Sequence, residues 1–480
     1  MDNDKYILKS EDWMALWIGL FLFVLSIGKL AGIDILGWAA NISVWTNLSK
    51  AVSPVSADFA GVAPLTSIFL TFLFLLVVMT AGAKILGYDV KKYAMGFIVI
   101  FVISYISLLI GFYAHIAATP NTFKKFGITW SLNLTGESGF IIALIAGLVV
   151  GNFFTGFGRK IQEAIRPEWY IKTAIVILGG ALGVQAVDAL SLASAVMFRG
   201  LCAIVEAYLI YWAVVYYIAR RYFGFSREWA APLASGISIC GVSAAIATGG
   251  AIKARPVIPI MVSSLVVVFA VVELLVLPFI GQHFLYREPM VAGAWMGLAV
   301  KTDGAAVASG AIMESLIRAK ALAMDGVNYK DGWILMTSTT VKIFIDVFIG
   351  IWAFVLAFIW CSFIECKPGE RFRPGQIWER FPKFVIGYVL TFLFLLLLCI
   401  WHSQLLAPAK AATSEANVFR QLFFAMTFFT IGVVSNFKKL WEEGIGKLAA
   451  IYVLCLFGFI IWVGLLISWI FFHGVKPPLA

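Results

Sequence analysis

The chain has 480 residues, of which 62% are hydrophobic, 15% aromatic and only 13% charged, with a formal net charge of +10. So few charges exclude a water-soluble domain, in which about a quarter of the residues face water as Asp, Glu, Lys or Arg. The positive balance is not a nucleic-acid footprint either, because the basic residues stand in short stretches at the ends of apolar runs, where positive-inside bias puts them.

A helix needs about 20 apolar residues to cross a bilayer. In chain order, the runs 13–30, 63–86, 93–116, 139–156, 169–190, 197–219, 256–280, 333–363, 384–406, 418–437 and 447–472 meet that length, which predicts eleven spans and an all-α polytopic membrane protein. The polar start MDNDKYILKSED and the run after it have the outline of a signal peptide, but no small-x-small cleavage site follows, so a retained first helix is expected. Residues 1–138 read as N-terminal transmembrane helices with an extramembrane loop at 31–62, and residues 139–480 as a transporter core. The cysteines Cys202, Cys240, Cys361, Cys366, Cys399 and Cys455 lie in or beside apolar runs, without metal-ligand spacing, so neither a disulfide framework nor a metal site is expected. The glycines in ILGGALGV (177–184) and FTIGVVSNF (429–437) read as helix-packing positions that could also line a cavity.

Two Gly-interrupted stretches repeat each other without a gap at a constant offset of 61: GISICGVSAAIATG (236–249) and GLAVKTDGAAVASG (297–310). Each lies in a segment, 229–253 or 289–313, whose apolar arms are too short to cross a bilayer alone. Each therefore suits a re-entrant hairpin or a broken helix. Interrupted backbone at membrane depth persists only where protein, water or a ligand satisfies it, and paired interrupted segments are the sequence pointer to a transporter's binding site. The breaks fall at Cys240-Gly241, before a helix from Val242, and at Thr302-Asp303-Gly304, before a helix from Ala305. A helix that starts there aims its free N–H groups at the break, an arrangement suited to an anion. Ser238, Cys240, Gly241, Val242, Ser243, Lys301, Thr302, Asp303 and Gly304 are the substrate-site candidates.

Six charged residues interrupt apolar runs and are costly at membrane depth: Glu206, Glu273, Lys301, Asp303, Lys342 and Asp346. Lys301 suits a cationic partner for an anion. Asp303 suits an N-cap, a proton carrier or a cation ligand. Lys342 and Asp346, four apart on one helical face, are placed to neutralise each other, whereas Glu273 has no partner nearby in the sequence. Asp303, Glu273, Lys342, Asp346 and Glu206 are thus the candidates for ion coupling. With a cytoplasmic N-terminus, most basic loops fall on one side, and Lys253 with Arg255 joins them if 229–253 enters and leaves from the cytoplasm. The second repeat then enters from the opposite face, and the pair forms an inverted repeat.

The run SGISICGVSAAIA (235–247), with GLVVGN (147–152), ILGGALGVQAVDAL (177–190), GAWMGLAVKTDGAAVASG (293–310) and FFTIGVVSNFKKL (428–440), resembles the YeiH-type sulfate exporter family of integral membrane proteins, over roughly residues 139–472. The resemblance implies a multi-pass secondary transporter of the bacterial inner membrane, with sulfate or a related anion as substrate. Where that family carries a His followed by an acid in the second repeat, this chain has Lys301-Thr302-Asp303, a fixed cation with the acid one place later. The expectation is therefore a transporter, not an enzyme, without a cofactor and without a nucleotide motif. It would move a small inorganic or sulfonated anion across a lipid bilayer by alternating access, with a proton or sodium as coupling ion, and a homo-oligomer is compatible with it. A cation/proton antiporter of the same architecture and a membrane subunit of a larger complex are the alternatives.

Overall fold

The computed structural model describes residues 10–118, 122–132, 138–187, 190–201, 203, 205–255, 257–364, 382–435 and 446–480. Cys202, Cys366, Lys367, Arg371, Arg373, Arg380, Lys438 and Lys439 lie outside the described residues. The main helices, in chain order, are α1 (Glu11–Ile27), α2 (Pro64–Leu86), α3 (Val90–Gly111), α4 (Ser138–Phe153), α5 (Pro167–Val187), α6 (Leu190–Gly200), α7 (Trp212–Arg221), α8 (Arg227–Ser238), α9 (Val242–Ala251), α10 (Val257–Leu285), α11 (Pro289–Ala299), α12 (Asp303–Asp325), α13 (Trp333–Val347), α14 (Ile349–Phe363), α15 (Lys383–Trp401), α16 (Leu406–Val434), α17 (Gly446–Cys455) and α18 (Ile461–Phe472). Among the described residues, ten helical stretches are long and apolar enough to cross a membrane. The eleventh expected span, 139–156, is α4, which at 16 residues is shorter than the usual crossing length.

The described chain divides into two compact units. The first comprises Met1–Ala193, Leu322–Val327 and Lys383–Val434. Its helix α1 starts at Ser10, whose Oγ accepts from Trp13 N at 3.3 Å, and Glu11 and Asp12 complement the positive helix end. The 31–62 loop carries a small antiparallel ribbon, β1 (Ala40–Ile42) with β2 (Val52–Pro54). At its core lies α5, buried along most of its length and packed against α15 through glycines. A Cβ on Gly179 would stand 2.4 Å from Tyr388 O, and one on Gly183 2.3 Å from Phe392 O. The same device joins α4 to α16, where a Cβ on Gly147 would stand 2.0 Å from Phe429 O and one on Gly432 2.5 Å from Leu144 O. The glycines of 177–184 and 429–437 are accordingly packing positions, letting helices approach where apolar burial between them gives little drive in lipid.

The second unit comprises Ser194–Ala321, Asn328–Pro382 and Ser435–Ala480, and both repeats lie in it. In the first repeat α8 and α9 lie side by side, with Thr248 Oγ1 donating to Ser235 Oγ at 2.7 Å across a separation of 13 residues. A continuous helix would hold those positions about 20 Å apart. The open ends meet as well. After α9 the chain turns through Lys253, at φ 54, and Ala254 N donates back to Gly249 O at 2.8 Å. Arg255 N then donates to Glu228 Oε1 at 2.7 Å, and Arg255 Nε to Glu228 Oε2 at 3.2 Å. The repeat is a hairpin.

The second repeat also doubles back. A Cβ on Gly297 of α11 would stand 2.7 Å from Ser338 O, and one on Gly310 of α12 2.6 Å from Ser338 Cβ. Ser338 Oγ donates to Ala306 O at 2.9 Å. Arms that share one neighbour on α13 must run antiparallel to each other. Glu314 then receives Gly332 N and, at 2.8 Å, Leu335 N, satisfying donors at the start of α13.

Between the hairpins, α13 and α14 follow one another across Phe348, whose φ of −89 and ψ of −1 remain in the helical region. Along this axis α11 runs parallel to α13, with Gly293 beside Ile334 and Thr337 and Gly297 beside Ser338 and Val341. The second hairpin therefore opens at the Trp333 end. The first opens at the other end, because Ala231 and Ile252, near its open end, cluster with Leu356 and Trp360 of α14. The repeats are inverted relative to each other, and their tips meet beside the middle of α13–α14.

Candidate functional site

The first tip is a backbone device. Helix α8 ends at Ser238, and Ile239, Cys240 and Gly241 turn the chain into α9. Gly241 sits at φ 66 and ψ −100, a conformation that only glycine adopts without strain. Its N–H donates to Gly236 O at 3.1 Å. A Cβ on it would stand 2.7 Å from Val266 Cγ1, 3.2 Å from Lys301 O and 3.3 Å from Thr302 Cγ2. The last two atoms belong to the second tip, so the two tips touch.

The second tip is held by side chains. Val300 is extended, Lys301 and Thr302 make the turn, and α12 starts at Asp303. Thr302 Oγ1 accepts from Ala305 N at 3.3 Å, and Thr302 O accepts from Ala306 N at 2.9 Å. Thr302, not Asp303, is thus the N-cap, and the helix begins two residues before the expected Ala305. The Asp303 carboxylate lies at the tip, 3.8 Å from Lys342 Nζ. Lys301 N donates to Glu273 Oε2 at 2.9 Å, and Tyr452 Oη donates to Glu273 Oε1 at 2.8 Å. Glu273, without a partner nearby in sequence, finds both partners in space.

Lys342 of α13 bridges the tips. Its Nζ donates to Ile239 O at 2.8 Å, stands 3.5 Å from Lys301 O, and is 3.8 Å from Asp303 Oδ1. Lys342 thus forms an ion pair with Asp303 across the interface between helix and tip. The reason is position: Lys342 is level with the tips, where two carbonyls left over from the helix breaks need a donor. Cys240 Sγ, a carboxylate oxygen of Asp303 and one of Asp346 lie within 4.8 Å of one another, all three residues buried. That spacing would admit one small cation, with Lys342 beside it as a competing positive charge. Tyr208 closes this region by donating its hydroxyl to Ile345 O.

The structure therefore gathers Cys240, Gly241, Thr302, Asp303, Lys342 and Asp346 at the tips. Ser238 is buried at the end of α8, Val242 and Ser243 are half-buried at the start of α9, and Gly304 is buried in the first turn of α12. Lys301 departs from expectation. Its ammonium donates to Leu298 O and stands 4.6 Å from the centre of the Tyr211 ring, so it faces away from Asp303. It looks instead into a second buried group made of Glu206, Tyr211, Glu273 and Tyr452. The tyrosines were not legible in the sequence, where Tyr208, Tyr211 and Tyr452 look like ordinary members of aromatic, apolar runs.

A family model described as "Conserved hypothetical protein 698" matches residues 95–451. A UPF0324 membrane protein of Nitrosomonas europaea is 41% identical over 483 residues, covering 99% of each chain. An uncharacterized protein of Archaeoglobus fulgidus is 50% identical over 164 residues, 30% of this chain and 88% of its own. A UPF0324 membrane protein of Nitratidesulfovibrio vulgaris is 27% identical over 456 residues, 92% of this chain and 69% of its own. No solved structure matches. The model spans both hairpins and the residues that join their tips, and the Nitrosomonas relative aligns along nearly the whole length: the chain belongs to the conserved hypothetical protein 698 family, the UPF0324 membrane proteins.

Proposed function

We propose that this protein is an ion-coupled secondary transporter of a small inorganic or sulfonated anion, and not an enzyme, with its substrate site where the two hairpin tips meet. The observation that carries the proposal is the tip junction itself, in which Lys342 Nζ lies 2.8 Å from Ile239 O and 3.5 Å from Lys301 O. Two inverted interrupted segments meeting at mid-span form the kind of site around which alternating access works, because either hairpin can open while the other stays shut.

Charge supports an anion. The starts of α9 and α12 each bring roughly half a positive charge to the tips, and Lys342 adds one more. Asp303 and Asp346 offset that sum when both are ionised, so an anion gains attraction when a proton enters with it. The resemblance of the repeats to YeiH-type sulfate exporters adds sulfate as the first anion to try and a bacterial inner membrane as the setting, and the placement of the basic loops adds a cytoplasmic N-terminus. One observation favours a second reading: the grouping of Cys240, Asp303 and Asp346 within 4.8 Å suits a cation, as in a cation/proton antiporter.

Counterflow in proteoliposomes separates the two. Purified protein should exchange radiolabelled sulfate across the membrane, with exchange rising as pH falls. Movement of 22-sodium without sulfate exchange would replace the anion reading with the cation one.

A further inference from the structure

Behind the second tip, on the side away from Cys240 and Asp303, lies a charged group with a different composition. Glu206 is fully buried, and neither of its carboxylate oxygens receives a hydrogen bond. It stands in a π-turn, Val205–Tyr211, a form of helix often found at functional sites. The neighbouring phenol of Tyr211 gives its hydrogen to Ile460 O at 2.8 Å, in a second π-turn, Leu456–Ile460. Space for the carboxyl is kept by Gly464 of α18: a Cβ there would stand 2.8 Å from Tyr211 Oη and 3.3 Å from Glu206 Oε1. The same Cβ would lie 3.6 Å from Leu298 Cβ, the residue whose carbonyl receives the Lys301 ammonium.

We propose that Glu206 is the proton-binding site of the transport cycle, with Lys301 as the charge it trades against. A carboxylate sealed from water and given no hydrogen bond is costly, and taking up a proton removes its charge and with it most of that cost. When the proton leaves, the nearest mobile positive charge is the Lys301 ammonium, now on Leu298 O and over the Tyr211 ring at 4.6 Å. Lys301 is also the backbone of the second tip. Its N–H is fixed to Glu273, and its carbonyl stands 3.5 Å from Lys342 Nζ. A swing of the ammonium toward Glu206 therefore pulls on the junction of the tips, linking proton occupancy to substrate access. The titratable and charged groups facing Glu206 are Tyr211 on its own turn and Lys301 from the second tip, with Glu273 of α10, Tyr452 of α17 and Lys342 of α13 behind Lys301. Glu273 is the weaker candidate for the proton, since both its oxygens already accept hydrogen bonds.

This inference deepens the transporter reading, and its test keeps the two apart. Infrared difference spectra of the purified full-length protein, recorded across a pH titration in heavy and light water, should show a protonated carboxyl band that appears as pH falls. The band should be missing in Glu206→Gln and return in Glu206→Asp, which keeps the carboxyl, with size-exclusion profiles confirming that each variant folds. A second arm follows sulfate counterflow against pH, where Glu206→Gln should flatten a dependence of at least tenfold and Glu206→Asp should restore it. The same band in Glu206→Gln as in the parent would overturn the proposal. A band that disappears while the pH dependence of counterflow persists would overturn it too, by making Glu206 a spectator. If the parent protein moves no sulfate, the sulfate reading fails, and the infrared arm alone decides whether Glu206 binds the proton.

Discussion

At the first hairpin tip the turn rests on backbone, with Gly241 at φ 66 and no charged side chain of its own; at the second it rests on Lys301 and Thr302, tied down by Glu273, Tyr452 and Tyr211. The repeats keep the same small residues along their arms, Gly236 and Gly249 in one and Gly297 and Gly310 in the other. The shared arms give two hairpins, and the differing tips hold them in different ways. The first tip has one conformation that its glycine permits. The second hangs on hydrogen bonds from Lys301 to the buried Glu273 carboxylate and to Leu298 O.

Substitutions at five positions bear on that contrast, and the largest effect is expected where the tips are joined. Lys342→Met removes the donor to Ile239 O and leaves Asp303 buried without its cation, a loss of about 3–5 kcal/mol. It should abolish transport and lower thermal stability, with Lys342→Arg restoring part of both. Lys301→Met should cost less stability, since its ammonium rests on Leu298 O and the Tyr211 ring and bridges no tip to another. Equal losses in the two variants would show that Lys342 is not the special bridge. Next comes Gly241→Val, which forces a side chain into a conformation costing roughly 1–3 kcal/mol and toward Val266 and Lys301 O. Transport should be lost in proteoliposomes while monodisperse protein is still recovered. Normal transport would mean that the first tip tolerates rearrangement.

Smaller effects are expected from single atoms. Tyr452→Phe removes one of the two hydrogen bonds to Glu273 and should cost about 1–3 kcal/mol. Its loosening should appear as faster hydrogen exchange at the second tip, with the first unchanged; acceleration at both would show that the tips are not held independently. Cys240→Ser keeps size and backbone and should alter counterflow less than any of the others. A dead Cys240→Ser beside a competent Gly241→Val would invert the account and give the first tip a role in sulfur chemistry.

Sequence revealed the plan of the site better than its contacts. The breaks at Cys240-Gly241 and after Lys301 were legible because glycine and polar residues interrupt runs that are otherwise apolar, and a repeated interruption is hard to produce by packing alone. The sequence leaves the cap open because Thr302 and Asp303 are both good capping residues, and only the geometry of Ala305 N selects Thr302. The work of Lys342 was hidden for another reason. Its acceptors are backbone carbonyls 103 and 41 residues away, which carry no sequence signal. Glu273 was isolated in the sequence for the same reason, its Tyr452 partner being 179 residues distant.

The central claim, that two hairpins enter from opposite sides to meet at one site, is tested most directly by sidedness. On a background without cysteines, Arg255→Cys marks the open end of the first hairpin, and Asn328→Cys marks the loop between α12 and α13, at the open end of the second. In oriented membrane vesicles, a membrane-impermeant maleimide should label each position from one side only, and from opposite sides. Labelling of both positions from the same side would contradict the inverted arrangement and, with it, the shared site at Lys342.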